Sequence, residues 1–273
     1  MKIILTLILC LFSFLSVEQA TAQTPTKPPE LKVGMIYYYP PFIYNSDIGF
    51  DVALIDAICK QAGYQCQKIN RPFTKLFDDL QKNKLDAVIS AVTITPERSK
   101  LFDFSKPYLT STVSFMGLKT LGDINQLKKP RIGVIKGSVF EKYLNDKKIQ
   151  GAIIVPYEYG SDLFAAAMAN DIDLILTDTP IADYWQQETE GRLVIIGQPR
   201  IFSLEGGLGI MVAKGNVGLQ RQLNMALENL VKNGTHEKLV EIYFNTDKAS
   251  FNKGIVSSSG IYQPAWMKSM KAN

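Results

Sequence analysis

The chain has little of the chemistry that marks a metalloenzyme. Its 273 residues include one histidine, His236, and three cysteines, the first of them Cys10. A zinc site draws on three or four such ligands held close together, and no set of that kind exists, so no metal is expected. His236 stands in a C-terminal helical stretch away from every strand end and reads as a surface residue. Phosphate-cradling and nucleophile-elbow motifs are missing as well, since there is no G-x-x-x-x-G-K and no G-x-S-x-G. Gly206-Gly207 with Gly209 lies within and before a strand, not between a strand and a helix, which is not the dinucleotide pattern. No cofactor is therefore expected. No basic run reaches five residues and the net charge is only +4, which argues against a nucleic-acid partner. Beyond residue 17 no apolar run is long enough to span a membrane, and no repeat of solenoid period is present.

What is present begins with an export signal. Lys2, the apolar stretch 3–17 and Ala20-Thr21-Ala22 form the n-region, h-region and cleavage site of a signal peptide. Residues 1–22 are expected to be removed, leaving 251 residues in the periplasm. Leu9 before Cys10, and the short segment upstream of it, disfavour a lipid anchor there. Residues 23–30 form a proline-rich, mobile arm. The remainder is long enough for one large domain or two small ones. Cys59 and Cys66 are close enough to pair in an oxidising compartment, with Gly63 turning the chain between them; two free thiols are the alternative.

From residue 31 strand and helix patterns alternate. Leu31–Ile36 reads as a strand and 37–42 (YYYPPF) as an aromatic loop. Phe50, Leu54 and Ile58, with Ala53 and Ala57, share one helical face. Strands follow at 65–69 and 86–89, with a helix at 73–80 between them. The pattern resets into strands at 113–118, 131–135, 152–155 (closed by Pro156), 173–177, 193–196 and 208–212. The helices between them lie at 138–144 and 162–169. Leu219, Leu223, Leu227 and Leu230 mark a long helix that Asn233-Gly234 ends, and Thr235 caps one more, to about residue 244. This alternation predicts α/β architecture with a parallel sheet, whose ligands sit at the strand carboxyl ends. The tail 245–273 is polar and reads as loosely held, although Ile261-Tyr262 and Ala265-Trp266 have the character to dock on the body or a partner.

Three features converge on one ligand chemistry. In 86–98 (DAVISAVTITPER) a strand bends into a helix start, with Thr95 as N-cap and Pro96 in the first turn. Arg98 then lies at the wrong end of a helix for a cation unless an anion sits beside it; the plainer reading is a surface arginine paired with Glu97 or another acid. Gly137-Ser138 opens a second helix, offering small residues and N–H groups to an anion. Asp178 follows the strand 173–177, either as an N-cap or as a buried acceptor for an ammonium, and Thr179-Pro180 repeats the cap-and-proline pattern. Two anion holders facing one carboxylate describe a zwitterionic α-amino acid, with Arg98 gripping its carboxylate in bidentate fashion. Tyr37–Tyr39 and Phe73 supply aromatic walls able to hold an aliphatic stem or a cationic head; of these, Tyr37 or Tyr38 reads as plain core. Asp51 is either a helix cap or a counter-charge for a cationic side chain.

The ordered motifs YYYPPF, GFDVALIDAIC, DAVISAVTITPERSKLFDFSKPY, IGVIKGS, DLILTDTP and GLGIMVAKGN leading into NGTHEKLVEIYF together resemble the periplasmic amino-acid-binding proteins of ABC importers. The arginine-, histidine- and lysine/arginine/ornithine-binding branch is the most similar. The resemblance spans residues 31 to 245. It implies a two-lobed periplasmic binding protein fold of type II, with lobe 1 at 31–111 plus 206–246, lobe 2 at 112–205, and the ligand in the cleft between them. Arg98 matches the carboxylate-binding arginine, helped by Thr93 and the backbone at Ser138 and Val139. Asp178 matches the ammonium-binding aspartate, helped by the Ala91 carbonyl. Tyr39 and Phe73 match the aromatic clamp, and Asp51 and Ser90 match polar groups at the far end of the side chain. The Cys59–Cys66 pair also matches a disulfide of that branch. Two departures stand out. Ile36 occupies the place of an acidic residue, and Phe140 that of a polar one. The expected partners are a free amino acid, with arginine favoured and glutamine or another uncharged amino acid competing, and a membrane permease. The expected state is a monomer and not an enzyme. The rival reading is an exported cyclohexadienyl or arogenate dehydratase on the same fold; a sensory or adhesive binding protein is a third.

Overall fold

The computed structural model describes residues 27–121, 127–147, 151–200 and 206–244, with residues 261, 262, 264, 266, 267 and 270 of the tail. The expected leader lies outside them. In chain order the strands are β1 (Glu30–Met35), β2 (Gln65–Asn70), β3 (Ala87–Val88), β4 (Phe102–Phe104), β5 (Thr110–Ser111), β6 (Val113–Leu118), β7 (Arg131–Ile135), β8 (Ile153–Tyr157), β9 (Leu174–Asp178), β10 (Leu193–Arg200), β11 (Met211–Ala213) and β12 (Ile261–Tyr262). The helices are α1 (Phe50–Ala62), α2 (Phe73–Gln81), α3 (Pro96–Leu101), α4 (Val139–Lys147), α5 (Gly160–Met168), α6 (Thr179–Glu188), α7 (Val217–Lys232) and α8 (Thr235–Phe244).

Two five-stranded sheets, in the orders β2-β1-β3-β11-β4 and β10-β6-β9-β7-β8, form two lobes. Neither sheet is wholly parallel, contrary to the pattern-based expectation. β2, β1 and β3 run parallel, but β11 is antiparallel to both β3 and β4. In the second sheet β8, β7 and β9 run parallel, while β6 is antiparallel to β9 and β10 to β6. The parallel strands of both sheets aim their carboxyl ends at the space between the lobes, where an open α/β sheet places its ligand.

Local chemistry explains most element ends. α1 buries Phe50, Leu54, Ile55 and Ile58, and stops where Gly63 takes φ 77°. Asn216 caps α7, its side chain accepting from the Leu219 N–H at 3.3 Å, and Leu219, Leu223, Leu227 and Leu230 are buried. Pro156 does not close its strand but sits inside β8, the sheet edge, where a missing donor is tolerated. Thr179 is not the cap of α6. The helix begins at Thr179, and its buried hydroxyl bonds Thr112 and Ser114 at 2.8 Å each, tying α6 to the crossover between lobes. Cys59 and Cys66 are joined, with Cα atoms 6.1 Å apart.

One expectation about the C-terminal part is overturned, and the docking of Ile261-Tyr262 and Trp266 on the body is met. His236 is buried, not superficial: α8 packs on α1 and α7, and the imidazole Nε2 lies 2.7 Å from the Tyr108 carbonyl oxygen. The described residues of the tail are docked: β12 pairs antiparallel with β5, Trp266 Nε1–H donates to the Pro107 carbonyl at 2.7 Å, and Met267 is fully buried. Residues 245–260 lie outside the described residues.

Candidate functional site

The loops after β1, β3, β7 and β9 close on a cavity lined by residues of both lobes. Of the eleven residues that the resemblance placed at the ligand, all but Asp51 line it: Ile36, Tyr39, Phe73, Ser90, Ala91, Thr93, Arg98, Ser138, Val139 and Asp178. Ile135 and Phe140 complete the lining.

Arg98 enters from α3. Thr95 caps that helix, its Oγ1 accepting from the Arg98 N–H at 3.2 Å. The guanidinium is not paired with Glu97 in any ion pair of the described residues. Its Nη1 donates to the Thr93 carbonyl at 2.8 Å, and its Nη2 reaches across the cleft to the Gly137 carbonyl at 3.2 Å. The rings of Phe73 and Phe77 flank it at 5.5 and 5.1 Å. Burial lowers its pKa to about 10. The cation is thus held by carbonyl dipoles and ring faces, with no carboxylate in ion-pair contact among the described residues; the Glu97 charge acts on it only from further off.

Asp178 faces it from the end of β9 and is almost wholly buried. Its Oδ2 accepts from the Tyr39 hydroxyl at 3.1 Å, and the same hydroxyl lies 2.9 Å from Thr177 Oγ1, so Tyr39 bridges the lobes. Asp178 Oδ1 is buried with no hydrogen-bond partner among the described residues. Asp178 stands at the N-cap position of α6, but its side chain makes no capping bond to that helix. Burial raises its carboxyl pKa to about 6.

Ser138 opens α4 with a reciprocal cap. Its Oγ accepts from the Glu141 N–H, and the Glu141 carboxylate accepts from the Gly137 N–H at 2.6 Å. The Ser138 N–H is already given to the Ile135 carbonyl at 3.1 Å, so among the described residues the backbone donors left open at this helix start are those of Val139 and Phe140. Ser90 Oγ accepts from the Ile36 N–H at 3.2 Å and locks the ends of β1 and β3 together.

Asp51 is where the sequence reading fails. Its side chain is fully buried behind the cavity wall, with Oδ2 accepting from the Ala91 N–H at 2.7 Å. It therefore offers no counter-charge to a ligand side chain, and Asp178 is the only acid in the lining among the described residues. Tyr37 and Tyr38 are not core either; they meet Tyr159 and Trp185 of the second lobe edge to face. Three contributors escaped the sequence reading. Phe77 lies one helical turn after Phe73, so the spacing could have found it. Ile135 is the last residue of its strand before Gly137, which is also legible. Thr177 is set by tertiary contact alone.

Two α/β lobes meeting at a cavity lined from both sides, by Arg98 and by Asp178, are the architecture of a solute-binding protein. The chain belongs to the bacterial extracellular solute-binding proteins, family 3, whose model matches residues 31–246. It is 33% identical over 224 residues to the ABC transporter arginine-binding protein 1 of Escherichia coli strain K12, covering 79% of this chain and 90% of that one. The solved structure of an ancestral arginine-binding protein bound to arginine superposes with TM-score 0.73 at 30% identity, over 80% of this chain and 99% of that one. That of the ancestral amino acid-binding protein AncCDT-1, a precursor of cyclohexadienyl dehydratase, superposes with TM-score 0.69 at 29% identity, over 79% and 95%.

Proposed function

We propose that this protein captures a free L-α-amino acid with an uncharged side chain in the cleft between its lobes and presents it to the permease of an ABC importer. One observation carries the reading: among the described residues, a guanidinium with no carboxylate in ion-pair contact and a carboxylate with an unpartnered oxygen line the same cavity, Arg98 on one lobe and Asp178 on the other. A carboxylate on Arg98 and the Val139 N–H, and an ammonium on Asp178, would satisfy all of these groups at once. A ligand bridging the lobes favours their closed arrangement by its differential contacts, and the permease would recognise that arrangement. The preference for an uncharged side chain follows from the remaining walls. Ile36, Phe73, Ile135 and Phe140 are apolar, Ser90 is the polar group among them, and among the described residues the lining holds no second acid. A cationic head buried there would lack a counter-charge.

Arginine is the second reading. The relatives named for arginine favour it, as does the pair of rings, Tyr39 and Phe73, between which a weakly hydrated guanidinium can stack. A thermal-shift screen of unfolded and refolded protein against the standard amino acids separates the two. Ligand at a hundredfold over its Kd adds about 2.7 kcal/mol to stability. Shifts with uncharged amino acids and none with arginine are expected; a shift with arginine alone reverses the preference. No turnover of prephenate or arogenate is expected, because a dehydratase needs a general acid at the leaving hydroxyl while this reading commits Asp178 to the ammonium.

A further inference from the structure

Asp51 has no part in the reading above, yet its placement is specific. It is fully buried in the first turn of α1, and the start of that helix is fixed to the aromatic loop. The Phe50 and Asp51 N–H groups donate to the carbonyls of Pro41 and Phe42, each at 3.0 Å. The carboxylate does not cap its own helix but crosses to the loop after β3, where Oδ2 accepts from the Ala91 N–H at 2.7 Å. Ala91 is a non-glycine residue at φ 45°, a left-handed conformation that a side chain disfavours. Its neighbours are pinned on both sides, since the Ser90 hydroxyl is bonded to the Ile36 N–H and the Val92 carbonyl accepts from the Gly209 N–H at 2.9 Å. Ala91 itself lines the cavity beside Asp178, and among the described residues no hydrogen bond reaches its carbonyl.

We propose that Asp51 is a positioning residue for the ligand's ammonium: by holding the Ala91 N–H it fixes Ala91 in its left-handed conformation and so presents the Ala91 carbonyl to the cavity as a second acceptor beside Asp178. The bond from the Ala91 N–H to this buried oxygen is short, which suits a backbone that must be held against its own preference. The inference rests on the reading that the site takes an α-amino acid. It differs from a counter-charge role in where it acts, at the α-ammonium rather than at the ligand side chain.

The test uses the mature protein and two probes: the standard L-amino acid that the wild type binds most tightly, and its 2-hydroxy-acid counterpart, in which a hydroxyl replaces the ammonium. If no amino acid binds the wild type, the proposed function fails before any variant is made. Given binding, calorimetry on Asp51→Ala is expected to show at least a tenfold loss for the amino acid and a smaller loss for the hydroxy acid, so that the preference for the ammonium shrinks. Asp51→Asn, which keeps an acceptor for the Ala91 N–H, is expected to stay within a few-fold of wild type for both. Should Asp51→Ala fail to fold, Asp51→Thr retains a buried polar atom too short to reach Ala91 and carries the same comparison. An unchanged ratio between the probes in the Ala or Thr variant overturns the proposal. So does an Asn variant that loses the ratio as fully as Ala does.

Discussion

Replacing Asp178 by asparagine should move binding and stability in opposite directions. Burial raises this carboxyl from an ordinary value of about 4 to about 6. The folded-state pKa lies above the unfolded one, so at pH 7.5 the ionised group opposes folding. A shift of roughly two units corresponds to about 3 kcal/mol. Asparagine has the same shape, and its Oδ1 can still accept from the Tyr39 hydroxyl that now bonds Oδ2. The ligand-free variant should therefore be more stable by about 2–3 kcal/mol, roughly 5–10 °C in Tm for a chain of this size. Binding should suffer, because the buried partner of an ammonium is lost, at a cost of about 2–5 kcal/mol or some thirtyfold to several thousandfold in Kd. Differential scanning fluorimetry on stripped protein gives the first quantity and calorimetry the second. Unchanged affinity in a folded Asn variant would refute the ammonium role. A lower Tm would refute the claim that the ionised carboxylate is held at a cost to the fold.

Four further outcomes follow from the same geometry. Arg98→Ala should abolish measurable amino-acid binding while far-ultraviolet circular dichroism stays native; retained micromolar affinity would remove Arg98 from the carboxylate socket. Ile36→Asp places an acid in the apolar wall and should raise affinity for arginine or lysine at least tenfold while lowering Tm, with calorimetry deciding the first. Amino-acid affinity should fall as pH drops through about 6, because a proton competes for Asp178. Over the same range the ligand-free protein should gain stability, since Asp178 and Asp51 (pKa about 6 and about 7) bind protons in the folded state that the unfolded chain releases; scans from pH 8 to 5 check both slopes. Reducing the Cys59–Cys66 bridge, whose partners are seven positions apart, should cost about 2.5 kcal/mol by loop entropy, read as a lower Tm in reductant.

The elements were legible where local chemistry decides them. Thr95 with Pro96 announced α3, Gly63 ended α1, and the leucines of α7 face inward. The lining was legible because strand carboxyl ends in an α/β chain converge, which placed Arg98, Asp178, Ser90 and Ser138 around one cavity. What failed was decided by packing between distant segments. Asp51 looks like a helix-start acid in its own sequence, and only the approach of Ala91, forty residues on, turns its carboxylate away from the ligand space. His236 looks exposed until α8 is laid against α1 and the Tyr108 carbonyl meets its ring. Thr179 matches the cap pattern of Thr95, yet its hydroxyl is taken by Thr112 and Ser114, residues the sequence gives no reason to pair with it.

The measurement that bears most directly on the account compares one ligand with two of its own fragments. Calorimetry on stripped protein would titrate the tightest-binding amino acid, the 2-hydroxy acid lacking its ammonium, and the amine lacking its carboxylate. If Arg98 and Asp178 read the two ends of a zwitterion, each fragment binds at least a hundredfold more weakly than the intact amino acid. If either fragment binds as tightly as the amino acid, the cavity is not an amino-acid socket.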